Sequence, residues 1–377
     1  MIYNEYGNTG TKISAISMGG MRFENPDDTD TCASLVQAAY ESGINYFDTA
    51  PGYGKSEDLY GSALKEMLKT RKEKPFYVAT KTFGETPSDV RKDLENSLKR
   101  MGLDYIDFYH VWCIMSLDSY HERVRNGVIR EFEKMKAEGL IRHICVSTHM
   151  AGPDIKTMLS DYPFAGILLG YSIMNFAYRD EGVAAANSAN MGVTVMNPLG
   201  GGIIPNNPDR FSFVKTKPEE TVVEGALRFL INDSRITTSL VGFANKKQLA
   251  EAISAVNGFS KLKDNAVSNI RENLKKSFNE LCTTCRYCDI CPEKIPIPNL
   301  MEAFNHYILG NKNPDDLINR LKWHWGIEIE DDVFFRCTKC GICEKKCTQH
   351  LPIRERLKTI KTEIEKAREK KNIGSNQ

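Results

Sequence analysis

Two short runs near the C-terminal end of the sequence hold most of its cysteines. The first, CTTCRYCDICP, carries Cys282, Cys285, Cys288 and Cys291, and the second, CTKCGICEKKC, carries Cys337, Cys340, Cys343 and Cys347. Three thiolates spaced as CxxCxxC can wrap one iron–sulfur cubane on a tight loop, and a fourth farther along then reaches a second cubane. The pattern predicts two 4Fe-4S clusters. Tetrahedral zinc is the alternative, since CxxC pairs also suit it, although zinc sites usually use two pairs or mix in histidine rather than two triple runs. The remaining cysteines, Cys32, Cys113 and Cys145, are scattered, and clustering of this kind in a reducing cytosol reads as metal binding rather than disulfide bonding.

A second set of chemically able residues is spread through the first third of the chain. Asp48 ends INYFDTA, Tyr53 lies in the following APGYGKSE, Lys81 ends FYVATK, and His110 or Trp112 ends YIDFYHVW. A lysine near a carboxylate and a tyrosine hydroxyl is a known way to tune a proton donor. Each has a plainer alternative. An aspartate at a strand end is often a cap or loop anchor, a lysine there is often solvated, and a histidine inside a strand is often a hydrogen-bonded core residue. His149, ending HICVSTH, is a further candidate donor, with capping or backbone bonding as its alternative.

These residues need a scaffold that brings strand ends together. Eight β-rich apolar runs serve: SAISMGG, INYFDTA, FYVATKT, YIDFYHVW, HICVSTH, GILLGYS, GVTVMNP and TTSLVGF. Amphipathic segments such as TCASLVQAAYES, SEDLYGSALKEML, VRKDLENSLKRM and RVRNGVIREFEKMKAE separate them. Glycines in ESG-INYF, AEG-LIRHICV and NMG-VTVM suit left-handed helix caps just before the next strand. Repeated βα units imply a parallel (β/α)8 TIM barrel, in which catalytic groups gather at the C-terminal ends of the strands. The opening YNEYGNTGTKIS suits a small hairpin that would plug the other end. One or two helices should follow the last strand, and the domain boundary is expected near residue 275. That makes residues 1–275 the barrel and 276–377 a mainly α-helical cluster domain, in which IPNLMEAFNHYIL and NPDDLINRLKWHW look helical. The charged end, TIKTEIEKAREKKNIGSNQ, reads as a solvated helix.

Composition narrows the partners. With 377 residues, 41% hydrophobic and 26% charged, the chain can form one large α/β domain and a smaller one. Fifty Lys+Arg against 49 Asp+Glu leave a formal charge of +1, which argues against nucleic acid as the main partner. The N-terminus lacks a signal pattern, and no stretch approaches the ~18 apolar residues a membrane span needs, so a cytoplasmic location is expected.

FDTAPGYGKSEDLYGSAL, VATK and MGLDYIDFYH resemble the aldo-keto reductase superfamily, and the cysteine-rich tail resembles its iron–sulfur branch with a ferredoxin-like dicluster domain. The resemblance covers nearly the whole chain. It implies hydride transfer between a nicotinamide and a small carbonyl substrate, with Tyr53 as general acid, Lys81 lowering the Tyr53 pKa by favouring the phenolate, and Asp48 pairing with Lys81. The family pattern LDYIDLYLIH ends in its fourth catalytic residue, and counting from Leu103 that place falls on Trp112. His110 then points the same way, about 6.6 to 6.8 Å back along the strand and one layer deeper.

The same resemblance implies a nucleotide site. Ser147 and Thr148 stand where a Ser-Asn pair holds the nicotinamide amide, and Met196 stands where an aromatic residue stacks on the ring. Asn197, Leu199 and Gly200 belong to the glycine-rich NPLGGGIIP, suited to a loop over a pyrophosphate. GFANKKQLAEAI resembles the segment at the adenosine end, with Lys246 or Lys247 available for a 2′-phosphate of NADP(H) and with Gln248 and Glu251 nearby. NAD(H) stays open. Ferredoxin-type topology implies that Cys282, Cys285 and Cys288 share a cluster with Cys347, and that Cys337, Cys340 and Cys343 share one with Cys291. The chain departs from that pattern by one residue before Cys291 and by Thr348 after the last cysteine.

A nicotinamide gives two electrons as hydride, whereas a cubane takes one at a time, and no flavin motif bridges them. Three functions follow: an NADP(H)-using iron–sulfur oxidoreductase, a reductase fed by ferredoxin or another electron carrier without nicotinamide, and a redox sensor or binding subunit. The Asp48, Tyr53 and Lys81 set speaks against the third, because a scaffold that only binds has no use for a proton relay.

Overall fold

The chain opens with an antiparallel hairpin, β1 (Tyr3–Glu5) and β2 (Lys12–Ser14), in which Tyr3 lies opposite Ser14. The parallel strands that follow are β3 (Ile16–Gly19), β4 (Tyr46–Asp48), β5 (Tyr77–Thr82), β6 (Ile106–Ile114), β7 (Ile141–Thr148), β8 (Gly166–Gly170), β9 (Gly192–Met196) and β10 (Thr238–Gly242). They close into one barrel, each paired with its sequence neighbours and β10 with β3. The eight runs read from the sequence are these eight strands. The computed structural model describes residues 1–374 except 175, 262–267, 269, 271, 273–280, 283–287 and 348–350. It divides the chain into two units, residues 1–264 and 265–377. The expected boundary at residue 275 lies outside the described residues.

Helices return the chain between strands. Among them are α1 (Thr29–Glu41), α2 (Ser56–Met67) and α3 (Pro87–Met101). The last begins with Thr86 capping the Asp89 amide and Pro87 in its first turn, and it ends at left-handed Gly102. The stretch RVRNGVIREFEKMKAE, amphipathic as a whole, belongs to two helices, α4 (Leu117–Arg125) and α5 (Val128–Ala137). Gly127 at φ 83° breaks it, a conformation that a helix interior does not allow.

Two of the expected glycine caps, Gly43 and Gly139, do take positive φ, at 94° and 81°. Before β9 the left-handed residue is instead Asn190, at φ 52°. Gly192 is needed for another reason: a Cβ there would lie 2.2 Å from the Tyr6 ring, and one on Gly166 would lie 2.3 Å from the Tyr6 hydroxyl. Tyr6 follows β1 and is wholly buried. Its ring packs 4.5 Å from Phe108 and its hydroxyl pairs with Thr194 Oγ1 at 3.2 Å. With Ile13, Tyr46, Ala79 and Cys145 these residues fill the N-terminal end of the barrel as an apolar floor.

The second unit is helical over Ile297–Leu309, Pro314–Trp325 and Ile353–Gly374, which contains both segments expected to be helices. Leu300, Met301, Leu317, Leu321, Ile360 and Ile364 form its core.

Replacing Gly192 with Ala should force the Tyr6 ring out of place and cost about 1–3 kcal/mol of barrel stability. Tyr6→Ala should cost about 3–5 kcal/mol by leaving the floor open. Urea unfolding followed by tyrosine fluorescence measures both losses.

Candidate active site

Asp48 closes β4 and Lys81 is the penultimate residue of β5, and both side chains are wholly buried. Asp48 sits opposite Ala79 in the register, so Lys81, two residues on, shares its inward face. Lys81 Nζ donates to Asp48 Oδ1 at 2.5 Å and to the Thr49 carbonyl at 2.7 Å. Burial pushes the carboxyl up and the ammonium down, and their mutual attraction opposes both shifts.

Tyr53, in the loop after β4, donates its backbone N–H to the Ala50 carbonyl, and its ring centre lies 5.1 Å from Lys81 Nζ. Burial pushes its phenol well upward, and the Asp48 carboxylate adds to that. The Lys81 ammonium faces the ring and donates hydrogen bonds to Asp48 and Thr49.

Strand β6 changes register between Val111 and Ile114, where Cys113 adopts φ 60°. This bulge ends the regular pairing beside Trp112. The indole meets the Tyr53 ring edge-on, 5.4 Å between centroids at 88°, and stacks on Phe83 at 3.6 Å and 20°. A Cβ on Gly52 would come within 3.0 Å of it. Phe83 is half exposed and was not among the residues singled out by sequence. Its one signal is its place two positions beyond Lys81.

His110, two residues before Trp112, pairs directly across from Lys81 and is wholly buried. Its Nδ1 lies 3.4 Å from the Thr80 carbonyl. Burial, then the Lys81 charge, pulls its pKa down to about 3. That favours a neutral imidazole within the barrel. His149, just past β7, is held through its backbone: its N–H donates to Ile114 O at 3.1 Å and its carbonyl accepts from Arg179 at 3.0 Å.

The residues expected at a nucleotide lie at or beyond the ends of β7, β9 and β10. Ser147 Oγ is buried with no hydrogen-bond partner among the described residues. Thr148 Oγ1 is engaged locally, donating to Ile114 O at 2.8 Å and accepting from the Met150 amide at 3.1 Å. Met196 ends β9. Beyond it Asn197, Gly200, Gly201 and Gly202 all take positive φ, with the Gly200 amide bonded to Asn197 O and the Gly202 amide to Leu199 O. Lys246 opens the helix Lys246–Asn257 and donates to Ser34 Oγ at 2.8 Å. Gln248 Oε1 accepts from the Ala244 amide, and Glu251 follows on the same helix. Lys246, Lys247 and Gln248 are exposed.

A sequence model described as the aldo/keto reductase family matches residues 15–275. The chain belongs to the aldo/keto reductase family. It is an oxidoreductase of that family, whose members typically use NAD(P)H. It is similar to the L-galactose dehydrogenase of Arabidopsis thaliana, 29% identical over 66% of this chain and 86% of that protein. It is also similar to a probable aldo-keto reductase of Glycine max, 26% identical over 65% of this chain and 73% of that protein. An aldo-keto reductase from Bacillus halodurans, solved in its holo form, shares the fold with a TM-score of 0.63 at 22% identity, covering 72% of this chain and 96% of that one. Among the described residues, no helix is long and apolar enough to cross a membrane.

The cysteine runs lie in the second unit. Cys285 and Thr348 lie outside the described residues. Cys282, Cys288, Cys343 and Cys347 are buried in the helical core, Cys291 and Cys337 pack at its edge, and Cys340 is exposed. The Asn305 side chain bonds both the amide and the carbonyl of Cys282, at 2.8 and 2.9 Å. The Leu351 amide donates to Cys347 Sγ at 3.4 Å. No three Cys, His, Asp or Glu side chains among the described residues form a metal-holding group.

Lys81→Met strands a buried carboxylate and should lower stability by about 3–5 kcal/mol. The double variant Lys81→Met with Asp48→Leu should recover much of that loss. Denaturant unfolding of the single and double variants checks the coupling.

Proposed function

We propose that the chain reduces a small carbonyl compound, or oxidises the matching alcohol, using NADP(H) or NAD(H). The observation that carries this reading is the buried Lys81–Asp48 pair beneath the Tyr53 ring at the C-terminal end of the strands. A bound nicotinamide would exchange hydride with the substrate carbon. Tyr53 gives its phenolic proton to the substrate oxygen in the reductive direction, and the nearby ammonium favours the phenolate left behind. Phe83 and Trp112 wall that place with apolar surface and restrict water. The dehydrogenase name of the Arabidopsis thaliana relative supports the oxidative direction and a hydroxylated small molecule as substrate.

The residues present fit a dinucleotide. Ser147 offers a buried, unpaired hydroxyl suited to the nicotinamide amide, with Thr148 beside it. Asn197, Leu199 and Gly200 lie in a loop where Asn197 and Gly200 to Gly202 take positive φ, suited to the pyrophosphate, and exposed Lys246 with Gln248 and Glu251 suits the adenosine end.

We further propose that residues 276–377 form a ferredoxin-like domain with two 4Fe-4S clusters, one on Cys282, Cys285, Cys288 and Cys347 and the other on Cys291, Cys337, Cys340 and Cys343. Such clusters store and pass single electrons. The donor chemistry supports this: cysteines at CxxCxxC spacing, four of them in one apolar core, and a backbone N–H on Cys347 Sγ. A cytoplasmic location suits both cofactors. A second reading, a ferredoxin-fed reductase without nicotinamide, is favoured by Trp112 in the fourth catalytic place and by Met196 where an aromatic residue is expected. It requires activity with reduced ferredoxin and none with nicotinamides.

Anaerobic titration with NADPH and then NADH, followed by nicotinamide fluorescence, should saturate with at least one of them; no binding to either would move the assignment to the ferredoxin-fed reading. Tyr53→Phe should lower kcat by roughly 10²–10⁴-fold and leave nucleotide binding unchanged. Reconstituted protein should hold about eight iron atoms per chain by metal analysis, whereas zinc sites on the same thiols would give about two metal ions and no iron.

A further inference from the structure

Two polar atoms inside the barrel, His110 Nε2 and Asp48 Oδ2, have no hydrogen-bond partner among the described residues. Both side chains are wholly buried. They belong to one neighbourhood. Asp48 holds Lys81 through its other oxygen, and Lys81 stands directly across from His110 on the adjoining strand, where its charge is felt by the imidazole.

Their chemistry states what is needed between them. His110 Nδ1 faces the Thr80 carbonyl, which only accepts, so the ring proton belongs on Nδ1 and Nε2 carries a lone pair. Asp48 Oδ2 also only accepts. Two acceptors cannot satisfy one another, whereas a water molecule brings two donors. Buried polar atoms in folded proteins are paired with protein or with internal water, and a polar niche is where such water is kept.

We infer that His110 and Asp48 share a buried water, and that through it His110 is a positioning residue for the Lys81–Asp48 pair. One O–H of the water goes to His110 Nε2 and the other to Asp48 Oδ2. The carboxylate is then held from both sides, by the ammonium at Oδ1 and by the water at Oδ2. The neutral pair holds the same number of protons as the ionised one, so this favours the ionised pair at every pH and keeps the charge on Lys81. The titratable groups Cys145, Tyr6 and Tyr46 add no charge there. Cys145, opposite His110 on β7, is kept a thiol by burial, and Tyr6 and Tyr46 at the floor are kept as neutral phenols by the same cause.

This inference rests on reading Lys81 and Asp48 as the proton-handling pair, and its test does not depend on turnover. The whole protein, labelled with ¹³Cε-lysine, is observed by NMR at neutral pH, where the ε-carbon shift reports ammonium against amine, and the Lys81 signal is assigned by its loss in Lys81→Arg. His110→Leu removes the acceptor, whereas His110→Gln keeps an acceptor oxygen. The unsubstituted protein and His110→Gln should both show Lys81 at the ammonium shift, and His110→Leu should move it measurably toward the amine. A His110→Leu shift matching the unsubstituted protein would overturn the inference, and so would a folded His110→Gln that behaves like His110→Leu. Should His110→Leu fail to fold, the ¹⁵N spectrum of the unsubstituted protein decides. A bare, accepting Nε2 with a cross-peak to a long-lived water supports the inference, and a protonated Nε2 or no such water sinks it. Loss of the proposed activity itself is read separately, from Tyr53→Phe.

Discussion

A lysine and an aspartate with no access to solvent can both stay charged only while they touch. That requirement organises the barrel. Taking either ion out of water costs several kcal/mol, and only contact geometry with further hydrogen bonds offsets it. Adjacent parallel strands supply the geometry, because β4 and β5 present Asp48 and Lys81 on one interior face and the Thr49 carbonyl takes a second ammonium proton. The apolar floor around Tyr6 lies at one end of this pair and the aromatic mouth at the other, so the pair is cut off from bulk water and salt.

At the mouth, the arrangement departs from the family pattern in one place and the backbone shows how. Trp112 occupies the fourth catalytic position, and the register of β6 shifts immediately after it, with Cys113 in a left-handed conformation that few side chains adopt. An indole is larger than an imidazole. It stacks on Phe83 and meets Tyr53 edge-on, and Gly52 leaves room for it. At this place the mouth has a hydrophobic wall with a single N–H.

The strands were legible because alternation and β-branched runs are local signals, and Asp48, Tyr53 and Lys81 were legible because each sits at or just beyond a strand end within a familiar stretch. Other features depend on contacts between distant residues and left no local mark. Gly192 looks like a helix cap in sequence, yet its small size serves Tyr6, nearly the whole barrel away in the chain. Phe83 looks like one more loop residue until Trp112 lies flat against it. That the Lys81 ammonium donates to the Thr49 carbonyl as well as to Asp48 left no local mark either. The cysteine spacing was plain to read, but spacing alone does not convey that Cys340 is exposed while Cys282, Cys288, Cys343 and Cys347 share an apolar core.

The Tyr6 floor has a consequence for kinetics within the barrel. With the N-terminal end sealed by close-packed rings, the interior behaves as a vessel with a single neck, and whatever enters or leaves it passes Tyr53 and Trp112. Isotope exchange at interior groups such as the Ser147 hydroxyl is then gated by the aromatic neck, and its rate becomes a clock for how often that neck opens.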